Sequence, residues 1–291
     1  MKPRVLRVAN GLAARVEDLD LTQPLDDESF ACVHRALLDH LVVILPNQDI
    51  TPEQHITFSR RFGELDRHES LPHYRHPDHP EILLITNRTI NGKPSETRNT
   101  GRQWHIDLSY TLQPSLGSLL HCKEIPEVGG DTVFANMYLA YETLSPTLRS
   151  ILDGLHAVHD FTTIKANAKR DPEQLANMTR LNPPVAQPVV QVHPETGRKS
   201  LYVTEMLTSH FVGMTVEESR PLLQYLFAHS VQPEFTYRHR WQVGDLVIWD
   251  NRCTMHLALS DFDASEPRHM FRTTLKGTPS GRLYRPEANA Q

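Results

Sequence analysis

Hydrophobic and polar positions along the chain follow two periods. Between residues 26 and 40, Phe30, Val33, Leu37 and Leu38 fall at i, i+3, i+7 and i+8, which places them on one face of a helix. An unbroken apolar run at 41–45 follows at once and predicts a buried strand. Thr51-Pro52-Glu53-Gln54 is a capping box with proline in the first turn, so a second helix starts there and Gly63 stops it. Ser145-Pro146 opens a short helix through Leu148, Ile151 and Leu152, ending at Gly154. Thr215 and Glu218 cap a longer helix running to about His229, whose first turns Pro221 is expected to disturb.

Most of the remainder reads as short strands at 82–86, 116–122, 132–135, 200–204, 234–240, 245–249 and 270–275, separated by Gly, Pro and Asn. That pattern predicts a mainly β fold, a sandwich or barrel with flanking helices. Neither a repeat nor a flexible linker divides residues 1–291, so a single domain is expected. Segments 67–80 and 162–184 lack strong periodicity, and unpatterned stretches of that length are usually lids or disordered.

Composition narrows the function class. Hydrophobic residues make up 39% and charged ones 22%, which suits a globular chain and not a disordered one. A net charge of −5 without a basic block argues against nucleic acid as a partner. No apolar run has the length of a membrane helix, and no apolar stretch follows the N-terminal charges as a secretory signal would require. Cys32, Cys122 and Cys253 are scattered, which predicts reduced thiols and a cytoplasmic location.

Seventeen histidines are the unusual feature, and histidine is the commonest metal ligand. In Gln103-Trp104-His105-Ile106-Asp107, an extended backbone would turn His105 and Asp107 to one side. With a third ligand from elsewhere, that pair could hold a divalent metal on one triangular face and leave other positions open, an arrangement suited to Fe(II). His256 follows the strand at 245–249 and the polar turn Asp250-Asn251-Arg252, and becomes a ligand only in company. Arg268 and Arg272 lie in or beside the strand at 270–275; inside a protein a guanidinium needs an anionic partner, and a small dicarboxylate would serve. The histidines at 68, 73, 76 and 79 are spaced by prolines that oppose a compact metal site, and Cys253 has no orienting base that would make it a nucleophile.

Taken together and in order, these residues resemble the taurine dioxygenase family of Fe(II)- and 2-oxoglutarate-dependent oxygenases, which includes the 2,4-dichlorophenoxyacetate dioxygenases and the alkylsulfatases. The resemblance is carried by Phe62-Gly63-Glu64-Leu65, Trp104-His105-Ile106-Asp107, Gly129-Gly130-Asp131-Thr132, His193-Pro194-Glu195-Thr196-Gly197 and Trp249-Asp250-Asn251-Arg252, with His256 and the Arg268/Arg272 pair. It extends from about Val8 to Gly277.

The resemblance implies a double-stranded β-helix, a cupin-like jelly roll. It implies His105, Asp107 and His256 as iron ligands, and Thr132 and Arg268 as contacts of the distal 2-oxoglutarate carboxylate. Arg272 and His68 would contact the anionic end of the prime substrate. The cofactors implied are Fe(II), 2-oxoglutarate and O2. The reaction implied is hydroxylation of a small organic anion (aryloxyalkanoate, alkyl sulfonate or sulfate ester) at the carbon next to its heteroatom. Succinate would form from 2-oxoglutarate and the product would fragment. Family members are commonly dimers or tetramers, so a homo-oligomer is expected.

Leu71 and Gly101 stand where taurine-type members carry tyrosine and asparagine, whereas Tyr237-Arg238-His239-Arg240-Trp241 and Asn251-Arg252-Cys253 look more like aryloxyalkanoate members. Arg102 could supply another anion contact. The rival reading is a non-oxidative cupin-like protein that binds Zn2+ through the same triad for sensing or hydrolysis; the Thr132/Arg268 pair speaks against it.

Overall fold

The computed structural model describes residues 2–68, 74–90, 93–95, 101–164 and 172–285. Its first half carries strands β1 (Arg4–Arg7), β2 (Ala14–Glu17), β3 (Val42–Leu45), β4 (Leu83–Thr86), β5 (Thr89–Ile90), β6 (Lys93–Pro94), β7 (Ser115–Glu124) and β8 (Thr132–Asn136). The second half adds β9 (His156–His159), β10 (Val185–Pro188), β11 (Val190–Val192), β12 (Lys199–Leu201), β13 (Thr208–Phe211), β14 (Thr236–His239), β15 (Leu246–Asp250), β16 (Thr254–Ala258), β17 (His269–Lys276) and β18 (Arg282–Leu283).

A seven-stranded sheet in the order β1-β2-β3-β15-β7-β17-β4 faces a three-stranded sheet, β14-β8-β16, and β13-β9-β10-β18 form a separate four-stranded sheet. This is the expected mainly β jelly roll. One cluster fills the space between the layers, where Leu120, Phe134, Val247, Trp249 and Met270 are all nearly inaccessible. The other face of the large sheet carries Leu119, Leu246, Ile248 and Leu275. Burying each such side chain contributes roughly 1.5–3 kcal/mol.

That outer face is covered by the helices α1 (Asp27–His40) and α2 (Pro52–Ser59), whose starts follow the sequence signals. Asp26 caps α1 by accepting from the Ser29 amide, and α1 buries Val33, Ala36 and Leu37 against the sheet. Thr51 and Gln54 close the capping box on α2, with Pro52 in its first turn. Four more helices follow: α3 (Met137–Glu142), α4 (Pro146–Leu152), α5 (Pro172–Leu181) and α6 (Val216–Ser230).

Two expectations need correction. Pro221 does not break the first turns of α6: the helix runs through it, held at its start by the Thr215/Glu218 capping box. A proline in the second turn forfeits one amide donor, and the buried Ser219, Leu223 and Leu226 outweigh that loss. Segment 162–184 also contains more order than its pattern announced, because α5 occupies its C-terminal part. Leu71 and His73, and the rest of 69–73, lie outside the described residues, as do 165–171.

Three histidines away from any candidate site sit in the interior as neutral groups. His55 and His159 are fully inaccessible, and His121 nearly so. Burial pushes His55 down to about 3, with the neighbouring His121 adding to it, and pushes His121 and His159 down to about 4. Between the unfolded value near 6.5 and these folded values, the unfolded chain binds more protons, so stability is complete above about pH 6.5 and falls as pH drops. Each such histidine removes about 1.4 kcal/mol per pH unit in that window. The urea midpoint of the metal-free protein is expected to fall steeply from pH 6.5 to 5; a flat midpoint over that interval would contradict the assignment.

Candidate active site

The large sheet and the β8/β16 pair bring one set of side chains together. On β8 and β16, His256 is directly opposite Phe134 and Ala258 opposite Thr132, so all four project into the space between the layers. From the large sheet, Arg272 pairs with Leu120, while Thr274 and Trp249 both pair with Ser118. These form the facing wall.

His105 and Asp107 enter differently from the sequence expectation. They do not share an extended strand. His105 forms a single antiparallel bridge to His256, its amide donating to the His256 carbonyl at 3.0 Å and the reverse bond at 2.9 Å. The chain then turns, with Leu108 at a φ of 55°, and the turn returns the Asp107 carboxylate to the imidazoles. His256 itself lies within a strand, β16, and not merely beyond one.

The three donors converge. His105 Nε2 is 3.8 Å from Asp107 Oδ1, His256 Nε2 is 3.9 Å from Asp107 Oδ2, and the two rings are 4.1 Å apart. The Gln103 carbonyl lies 2.8 Å from His105 Nδ1 and can only accept, so Nδ1 carries the hydrogen and Nε2 keeps its lone pair for a metal. Burial alone pushes Asp107 up, but the charges of Arg272, His256 and His105 and a hydrogen bond from Ser118 hold its carboxyl well below the usual range. Burial drives both imidazoles down, keeping them neutral as ligation requires. Two neutral nitrogens and one carboxylate, all buried and mutually within 4.8 Å, fit a divalent cation with open positions.

Gly101 approaches this cluster so closely that a Cβ there would lie 3.2 Å from His105 Cε1, and its φ of +71° disfavours any side chain. Gly101→Ala is therefore expected to displace the His105 ring and weaken metal binding about tenfold, read by Mn(II) titration; unchanged affinity would show that the ring has room to yield.

Thr132 and Arg268 are both buried. Trp241 Nε1 donates to Thr132 Oγ1 at 3.0 Å, and an indole can only donate, so the threonine hydrogen is left for another acceptor. Arg268 Nε donates to the Gly130 carbonyl at 3.0 Å, and Gly130 lacks the side chain that would crowd it. Burial pushes Arg268 down to about 10, Arg102 also lowering it. A buried guanidinium and a buried hydroxyl with a hydrogen to give are each suited to a carboxylate.

Arg272 Nη1 donates to Asp107 Oδ1 at 3.1 Å, while its buried Nε has no partner among the described residues. His68 is buried too, at a φ of 50°, and its Nε2 is likewise unpartnered. Burial, then the Arg272 charge, pushes it down to about 4.

Sequence reasoning passed over two neighbours. Tyr110, whose hydroxyl burial and the Asp107 charge push up to about 12, lies with its ring 4.9 Å from Phe161. Ser118 donates to Asp107 Oδ2 at 2.8 Å. Neither carries a motif that a single sequence displays.

A second buried group, His193, Asp250 and Cys253, also brings three ligating side chains together, but its valences are filled. His193 Nδ1 accepts from the amides of Glu195 and Thr196, its Nε2 donates to Asp250 at 3.0 Å, and Arg252 forks onto the same carboxylate. Burial pushes the Cys253 thiol up, as expected for an inert thiol. A cavity of about 490 Å3 lies behind the bridge, lined by Trp104, Met255, Leu223, Phe227 and Arg220 among others. It contains none of the converging ligands, because Trp104 and Met255 point away from the neighbouring histidines.

Residues 5–274 match the family model described as taurine catabolism dioxygenase TauD, TfdA family. The alpha-ketoglutarate-dependent 2,4-dichlorophenoxyacetate dioxygenase of Cupriavidus pinatubonensis is 35% identical, over 92% of this chain and 96% of that protein. Among solved structures, a taurine dioxygenase from Burkholderia xenovorans superimposes with a TM-score of 0.80 at 36% identity, over 96% of this chain and 92% of the other. The structure of AAD-2 in complex with Mn(II) and N-oxalylglycine gives 0.82 at 30% identity, over 96% of this chain and 99% of that one.

Proposed function

The chain belongs to the taurine catabolism dioxygenase TauD, TfdA family, and from that premise we propose that it hydroxylates a small organic anion through a metal held by His105, Asp107 and His256. It is an Fe(II)- and 2-oxoglutarate-dependent dioxygenase; when bound, iron, 2-oxoglutarate and O2 supply the oxidising power, with release of succinate and CO2. The zinc-binding, non-oxidative alternative finds no support among these relatives.

The residues of this chain divide the remaining work. His105 Nε2, His256 Nε2 and Asp107 hold the metal. Thr132 gives its hydroxyl hydrogen, and Arg268 its guanidinium, to the distal carboxylate of 2-oxoglutarate. The observation that carries the substrate reading is a pair of buried polar atoms, Arg272 Nε and His68 Nε2, that have no partner among the described residues. An oxyanion placed there would fill both and would compete with Asp107 for Arg272. Oxidation at the carbon next to the heteroatom gives a product that fragments.

Among the three anion classes, an aryloxyalkanoate is the first choice, supported by the 35%-identical relative and by the Tyr110–Phe161 aromatic pair near the triad; sulfonates and sulfate esters follow. Segments 67–80 and 162–184 of the single domain act as lids in this proposal, and Phe161 links the second to Tyr110. A cytoplasmic, homo-oligomeric enzyme completes it, supported by the three free cysteines and by family habit.

Arg272→Ala tests the substrate assignment. The kcat/KM for 2,4-dichlorophenoxyacetate, or for whichever sulfonate or sulfate ester proves active, is expected to fall about 100-fold or more, while 2-oxoglutarate affinity stays near wild type. Equal loss of both affinities would move Arg272 out of the substrate subsite.

A further inference from the structure

Asn251 lies in the tight turn between β15 and β16 and is wholly inaccessible. Its amide oxygen accepts from Trp249 Nε1 at 3.0 Å. An indole nitrogen can only donate, so this contact fixes which end of the amide is oxygen. The amide nitrogen therefore faces two buried serines on β7, at 3.0 Å from Ser115 Oγ and 3.3 Å from Ser118 Oγ. Ser118 receives one of those hydrogens and directs its own to Asp107 Oδ2 at 2.8 Å. Ser115 directs its hydrogen elsewhere, to the carbonyls of Gly117 and Leu275.

We propose that Trp249, Asn251 and Ser118 form a one-way hydrogen-bond relay that orients the Asp107 carboxylate for metal binding, with Ser118 and Asn251 as positioning residues. The proposal rests on Asp107 being a metal ligand. Every donor in the chain has a single direction available to it, so Ser118 acts as a donor to Asp107 and as an acceptor from Asn251. The Trp249 ring also lies 4.8 Å from the His256 ring, so one indole braces the imidazole while starting the relay to the carboxylate. This gives the Trp249-Asp250-Asn251-Arg252 motif two separate tasks. Trp249 and Asn251 serve the metal carboxylate; Asp250 and Arg252 tie the turn to His193 and Glu195.

The test is Mn(II) titration of the metal-free protein, with melting temperature and the anaerobic visible spectrum of the Fe(II)·2-oxoglutarate complex recorded alongside. Ser118→Ala is expected to raise the Mn(II) dissociation constant about 10- to 100-fold and to shift the visible band. Ser115→Ala removes an equally buried serine from the same amide but leaves Asp107 untouched; it should lower the melting temperature comparably and leave the dissociation constant alone. Asn251→Asp keeps the shape but turns a donor into an acceptor that draws the Ser118 hydrogen from Asp107. It should weaken Mn(II) as Ser118→Ala does. Wild-type Mn(II) affinity in both Ser118→Ala and Asn251→Asp would overturn the relay, as would equal weakening by Ser115→Ala. Asp107→Ala, titrated in parallel, separates the two levels: if it binds Mn(II) normally, the ligand assignment fails, and if it alone loses binding, only the relay fails.

Discussion

His256→Ala is expected to abolish 2-oxoglutarate turnover, lowering it at least about 1,000-fold, equivalent to about 4 kcal/mol of lost stabilisation. The size follows from the arrangement. His256 Nε2 is one of the three ligating atoms of this group among the described residues, and the carboxylate between the two imidazoles is 3.9 Å from it. Two remaining donors would bind a divalent ion weakly. The backbone bridge between His105 and His256 does not need the imidazole, so the strand pairing of β16 with β8 should persist. Far-UV circular dichroism and a melting curve check that persistence. Turnover within tenfold of wild type in a folded variant would remove His256 from the ligand set.

Arg268→Leu is the second large effect. Arg268 is 8% exposed, its Nε is committed to the Gly130 carbonyl, and burial pushes it down to about 10. A cation held under that strain gains most from an anionic ligand. Removing it leaves a bound carboxylate desolvated with only Thr132 to meet it, a loss of roughly 2–4 kcal/mol or about 30- to 1,000-fold in the KM for 2-oxoglutarate. Arg268→Lys should recover part of that affinity, because it restores charge without the planar fork. The prime substrate's own KM should move little. A 2-oxoglutarate KM within threefold of wild type in Arg268→Leu would place the carboxylate elsewhere.

Much of this architecture was legible in residue order. The spacing of Phe30, Val33, Leu37 and Leu38 announced α1, and the Thr51/Gln54 and Thr215/Glu218 boxes announced α2 and α6 because capping acts within a few residues of the helix start. The central strands β3, β7, β15 and β17 announced themselves by apolar density. Edge strand β1, wholly exposed as Arg-Val-Leu-Arg, did not, since only pairing with β2 makes it a strand. α3 was silent because its start depends on Asn136 accepting from the Tyr138 and Leu139 amides, a cap embedded at the end of a strand. The candidate ligands could be named from their motif, yet their geometry could not: the route from His105 to Asp107 is a turn, and its shape comes from pairing with His256, 151 positions away by numbering. Ser118 and Tyr110 had no local signature at all. Their placement beside Asp107 is a product of strand register and of the turn after it.

In the proposed site, His105, Asp107 and His256 hold an iron that 2-oxoglutarate then chelates. Fe(II) followed by 2-oxoglutarate, added to the metal-free protein without oxygen, tests it most directly by visible absorption. A metal-to-ligand charge-transfer band should appear with 2-oxoglutarate, saturate at one equivalent of iron, and be absent in Asp107→Ala and His256→Ala. No band in the wild-type protein, or the same band in either variant, would contradict the account.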